Sequence, residues 1–168
     1  IYAPAMSERV SVSKKVEAPP VRVWAMVSDL PRMGEWSPET TGGRWKRGAT
    51  GPAVGAKFVG RNRLGVLRWS TLATVVGCEK PTEFAFDVSS GPFKVSRWAY
   101  RISPTDSGCE VTETWEDHRS GWFAKTTGLF MRVKGRSVHN RRTMTETLEA
   151  LAAAAEASPT DGETAETS

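Results

Sequence analysis

The stretch FKVSRWAYRISPTDSGCEVTETWED, residues Phe93–Asp117, decides the fold. Trp98, Tyr100 and Ile102 alternate with polar neighbours, Thr105-Asp106-Ser107-Gly108 supplies a turn, and Val111, Glu113 and Trp115 resume the alternation. A period of two on both sides of a turn predicts an antiparallel hairpin, with strands over Phe93–Ser103 and Glu110–Asp117. Toward the N-terminus the same texture recurs at Thr40–Lys46, Ala56–Asn62, Val66–Gly77 and Glu83–Val88. Turn signals separate these segments: Gly48-Ala49-Thr50-Gly51-Pro52, Arg63-Leu64-Gly65, Glu79-Lys80-Pro81 and Ser89-Ser90-Gly91-Pro92. An earlier strand, Arg9–Glu17, carries Val10, Val12 and Val16 on alternate positions, making seven in all.

Ala18-Pro19-Pro20 ends the first strand, and Val21, Trp24, Ala25 and Val27 recur at helical spacing. Asp29-Leu30-Pro31 breaks that helix, and Pro31–Glu35 has room for one more turn before Trp36-Ser37-Pro38. The remaining six strands then follow without an intervening helix, which excludes parallel βαβ units and requires an antiparallel sheet. After Asp117 the period changes. Phe130, Val133, Ser137, Asn140, Met144, Leu148, Leu151 and Ala155 share one helical face, and no proline occurs from Gly121 to Ser158. The expected class is α+β: a curved seven-stranded antiparallel sheet around a long C-terminal helix.

A chain of 168 residues can bury one sizeable core, so one domain is expected, over residues 8–157. Residues 1–7, beginning at Ile1, are expected to be a disordered or expression-derived N-terminus, and the small, acidic segment 158–168 a disordered tail. No run approaches the roughly 18–20 apolar residues of a membrane span, and no signal segment is present, so neither integral membrane association nor export is expected and a cytoplasmic location is. The net charge of +4 is a weak signal, and no nucleic-acid-binding motif accompanies it. Arg132, Lys134, Arg136, Arg141 and Arg142 scatter around the helix as a solvated face, and Arg61, Arg63 and Arg68 read as the outer face of a hairpin. Cys78, Cys109, His118 and His139 match no metal-ligand or redox spacing, so no metal and no cofactor is expected.

One helix covers only part of the concave face of so broad a sheet, and the rest is either filled by side chains or left as a cavity. Alternate positions put on that face Phe58, Gly60 and Asn62; Trp69, Thr71, Ala73 and Val75; Trp98, Tyr100 and Ile102; and Val111, Glu113 and Trp115. Asn140 joins them from the helix. Buried polar groups need partners, which a wet, polar-spotted cavity supplies; equally, Trp69, Trp98 and Trp115 can fill the space as core. Composition leaves both readings open.

Several motifs occur in an order that resembles the START and Bet v allergen-like superfamily (SRPBCC), above all its polyketide cyclase/dehydrase branch. They are Val16-Glu17-Ala18-Pro19 with Val23-Trp24; Asp29-Leu30 with Glu35-Trp36-Ser37-Pro38; Gly55, Phe58 and Gly60-Arg61-Asn62-Arg63; Trp69, Thr71 and Val75 before Glu79-Lys80-Pro81; Trp98 and Tyr100 before Ser103-Pro104; Gly108 and Val111-Thr112-Glu113; and Arg136, Asn140, Met144, Leu148 and Leu151. The resemblance spans residues 8 to 156. It implies a helix-grip fold with a cavity between sheet and helix, and it embraces carriers, cyclases and co-chaperones alike.

The expected function is binding or carriage of a hydrophobic small molecule such as a lipid or polyketide. Trp69, Trp98, Tyr100, Trp115 and Phe130 would supply contact area, and Asn62, Thr71, Glu113 and Asn140 would orient a polar end. A polyketide cyclase or dehydratase is the alternative, with Glu113 as the catalytic acid or base. A co-chaperone-like interaction module is the second. His139 is expected at the edge of the buried face and His118 in a surface loop, while Trp122 and Phe123 either form an entrance lid or pack against the short helices.

Overall fold

A computed structural model describes residues 8–119 and 135–157. Its elements are β1 (Arg9–Val16), α1 (Pro20–Ser28), a 3-10 helix (Leu30–Glu35), β2 (Thr40–Trp45), β3 (Lys57–Leu64), β4 (Leu67–Glu79), β5 (Glu83–Ser90), β6 (Phe93–Thr105), β7 (Gly108–Asp117) and α2 (Arg136–Ala157). The seven strands form one sheet in the order β1-β7-β6-β5-β4-β3-β2, every neighbouring pair antiparallel. The α+β helix-grip architecture expected from the sequence is the one observed. The outer segments 1–7 and 158–168 lie outside the described residues, as do Trp122, Phe123, Phe130 and Val133.

Three local expectations are corrected. The turn between β3 and β4 falls one residue later than Arg63-Leu64-Gly65. Leu64 pairs with Leu67, and Gly65 takes the left-handed φ of +60° that a two-residue hairpin loop demands. The second short helix is a 3-10 turn, because Pro31 and the following chain direction leave no room for a full α-turn. The helical face read from Phe130 onward is interrupted at Gly135, whose φ of +79° is incompatible with a right-handed helix, so the described helix starts at Arg136.

The sealed end of the molecule is built by α1. Pro20 sits in its first turn, and Val23, Trp24 and Val27 are buried. They join Val16, Phe84, Ile102, Val111, Leu148 and Leu151 in one cluster, while the Trp24 indole donates to the Glu83 carbonyl at 2.9 Å. The long helix lies chiefly against edge strand β1, where the Arg141 guanidinium donates to the Ser11 carbonyl at 3.3 Å. Toward its C-terminus the helix packs on the central strands through Leu148 and Leu151, beside Phe84 and Ile102, and Met144 and Thr147 face the part of the concave face left unfilled. No helix of the described residues is long and apolar enough to cross a membrane.

Two facing glycines show how the sheet bends. Gly43 on β2 pairs with Gly60 on β3. A Cβ at Gly43 would meet the Val59 carbonyl at 2.2 Å and the Phe58 ring at 2.5 Å, whereas one at Gly60 meets nothing nearer than the Thr71 hydroxyl at 3.6 Å. Gly43→Ala is expected to cost about 2 kcal/mol through this overlap, and Gly60→Ala to stay within about 0.5 kcal/mol of the parent. Urea unfolding midpoints of the two variants check this.

Candidate functional site

A cavity of about 760 Å³ occupies the space between the concave face of the sheet and the first half of α2. Its wall holds much of the inward face anticipated from period-two alternation, without Val75, Ile102 and Val111 and with Phe86 and Val88, which that reading did not name. Phe58, Gly60 and Asn62 come from β3, Trp69, Thr71 and Ala73 from β4, Phe86 and Val88 from β5, Trp98 and Tyr100 from β6, and Glu113 and Trp115 from β7. Met144 and Thr147 of α2 and Leu30 and Met33 of the 3-10 helix close the remaining sides. Glu8, Ser90 and Gly135 are exposed residues of its lining.

Two polar pairs stand on opposite walls, separated by β5. On one wall the cross-strand partners Tyr100 and Glu113 meet, the Tyr100 hydroxyl donating to Glu113 Oε1 at 2.7 Å. Both residues are almost wholly inaccessible, and Glu113 Oε2 has no hydrogen-bond partner among the described residues. Burial drives the Glu113 carboxyl from 4.5 up to about 8, outweighing the hydroxyl's opposing effect. Burial, and after it the neighbouring carboxylate, raises Tyr100 well above the usual phenol range. Near neutral pH Glu113 is thus mostly a neutral acid, able to donate from Oε2. On the other wall Asn62 Nδ2 donates to the Thr71 hydroxyl at 3.1 Å, leaving the amide oxygen as an acceptor.

A third polar group sits at the rim. Glu39, just before β2, is held by Arg136 at 3.4 Å and by a short contact to His139, both from the first turn of α2. Glu39 and Arg136 line the cavity. Arg119, also in the wall, is fixed by a two-pronged bond to Asp117, whose carboxyl its guanidinium lowers against the upward pull of burial. None of Glu39, Arg119 or Arg136 was singled out as a cavity residue from the sequence. Glu39 and Arg136 lie 97 residues apart, and no local pattern couples them.

Of the candidate ligand residues, Asn62, Trp69, Thr71, Trp98, Tyr100, Glu113 and Trp115 all belong to this one cavity. Asn140 is fully buried, but it is not among the cavity-lining residues, and its Nδ2 has no partner among those described. Phe130 lies outside the described residues. His139 sits at the edge of the buried face, in the rim cluster. His118 follows β7, half-buried, and contacts Glu116 at 3.4 Å. Among the described residues no group of three His, Cys, Asp or Glu side chains is placed to hold a metal. Cys78 and Cys109 are free, and burial raises both thiols.

The model of a family described as polyketide cyclase/dehydrase and lipid transport matches residues 7–156. Among solved structures, that of a polyketide-cyclase-like protein of Corynebacterium glutamicum, determined by NMR in solution, is 32% identical, covers 86% of this chain and 89% of its own, and superposes with a TM-score of 0.61. Ginseng major latex-like protein 151 from Panax ginseng is 10% identical over 90% of this chain and 99% of its own, with a TM-score of 0.66. A Chromobacterium violaceum protein is 12% identical over 89% and 98%, with a TM-score of 0.67. These last two share the fold. No curated protein matches the chain.

Proposed function

Because this chain belongs to the polyketide cyclase/dehydrase and lipid transport family, we propose that it binds and carries a largely apolar small molecule in its internal cavity. The observation that carries this reading is the cavity itself: about 760 Å³ walled by Phe58, Trp69, Phe86, Trp98 and Trp115, a size and lining suited to a lipid- or polyketide-sized ligand. The aromatic rings supply apolar area. The neutral Glu113, braced by Tyr100, donates to an uncharged oxygen on the ligand, and the Asn62 amide oxygen accepts from a hydroxyl.

A cyclase or dehydratase is the second reading, favoured by one observation: a carboxyl whose pKa of about 8 suits proton transfer near neutrality. The open cavity favours either reading over an interaction module with a filled core. Titration of the intrinsic tryptophan fluorescence with long-chain alcohols, sterols and aromatic polyketides is expected to give a saturable response to at least one class; no response to any would refute the binding reading. Glu113→Gln keeps the shape and the Tyr100 bond. In a carrier its affinity stays within a few-fold of the parent, whereas in a cyclase turnover of a poly-β-keto substrate falls by about 100-fold or more.

A further inference from the structure

The hairpin of β3 and β4 runs past its neighbours. β2 flanks it only as far as Asn62, and β5 pairs with β4 only from Leu72 onward. The Arg63 N–H still donates to the Glu39 carbonyl beside β2 at 2.8 Å, so it is the turn Leu64–Leu67 that extends past both neighbours. Val66 in the turn is 97% exposed and Leu67 42% exposed. By alternation Leu64 and Leu67 continue the side of the ribbon that carries Asn62 and Trp69, so the apolar wall of the cavity extends outward to the tip.

The opposite side is cationic. Arg63 lies directly across from Arg68, a like-charge pairing that costs stability unless an anion relieves it. Arg61 is exposed on the same side, and no Asp or Glu occurs between Lys57 and Cys78. No ion pair of the described residues involves Arg61, Arg63 or Arg68. The β5–β6 turn lies at the same end of the sheet and presents exposed Phe93 and Lys94. Ser90, exposed at the end of β5 beside this turn, also lines the cavity.

We propose that the β3–β4 tip docks the cavity mouth onto an anionic lipid bilayer, with Val66 and Leu67 entering the headgroup layer and Arg63 and Arg68 meeting lipid phosphates. Apolar residues at the apex of a protruding turn can enter a fluid interface without a matching pocket, and the arginine pair complements its negative charge. Docked in this way, the mouth faces lipid, and an apolar ligand enters or leaves without crossing bulk water. The docking is independent of which ligand the cavity takes.

Co-sedimentation of the full chain with phosphatidylcholine vesicles, with and without phosphatidylglycerol, tests the proposal. The parent is expected to bind the phosphatidylglycerol vesicles, less so as salt is raised. The double variants Val66→Ser/Leu67→Ser and Arg63→Gln/Arg68→Gln should each lower the partition about tenfold or more without lowering the urea midpoint. The proposal is overturned by no binding to phosphatidylglycerol vesicles, by equal binding to phosphatidylcholine alone, or by either variant binding like the parent. Because ligand titration is read without vesicles, failure here leaves the cavity reading standing.

Discussion

Glu113→Gln is expected to become more stable relative to the parent as pH rises, the gap widening by about 4 kcal/mol between about pH 5 and about pH 9. The folded-state pKa is raised, from 4.5 to about 8, by burial at the cavity wall. A raised carboxyl favours the folded state fully only below its unfolded value. As pH climbs from 4.5 toward 8, the unfolded chain ionises while the folded one cannot, and stability drains away at about 1.4 kcal/mol per pH unit. Gln cannot ionise, its carbonyl oxygen accepts the Tyr100 hydroxyl as Oε1 does, and its amide nitrogen replaces the neutral acid's donor. Urea denaturation of both proteins across this range measures the gap. A constant difference would mean that Glu113 is not a buried, neutral acid.

Gly60→Leu is expected to weaken binding of a cavity-filling ligand by about 10- to 100-fold while leaving the protein folded. Gly60 lies in the cavity wall at the middle of β3, and a Cβ there makes only ordinary contact with Thr71 and Phe58. The added side chain therefore goes into empty space rather than into the core. A ligand occupying that space meets an overpacking cost of about 1–3 kcal/mol, which is the stated loss of affinity. Replacing a strand glycine with a larger residue also removes backbone freedom from the unfolded chain, so thermal stability should hold or rise. Unchanged affinity would place the ligand elsewhere.

The cavity wall was legible because strand alternation has a strict period. Once Trp98, Tyr100 and Ile102 were set against Val111, Glu113 and Trp115, the register of one hairpin oriented its neighbours, and the observed pairing of Tyr100 with Glu113 is the direct result. Where the chain departs from regularity, the pattern fails. The bulge between Val75 and Gly77 places two residues against one, and it carried β4 on to Glu79, past its expected end at Gly77. The helical period runs through Gly135 unbroken in sequence, since apolar spacing carries no information about φ. The rim cluster of Glu39, Arg136 and His139 arises from a contact across most of the chain, which only the closed fold creates. Asn140 shares its helical face with Met144, yet the helix sits toward β1, and burial there is not the same as access to the cavity.

The central claim, that an apolar molecule occupies the space between sheet and helix, is tested most directly by the indole N–H resonances of the tryptophans during titration with a neutral apolar ligand. Trp69, Trp98 and Trp115 line the cavity, whereas Trp24 is tied to the Glu83 carbonyl at the sealed end. Saturable shifts of the first three, with Trp24 unmoved and the response lost in Gly60→Leu, are the expected result. Shifts confined to Trp24, or none from any ligand class, would contradict it.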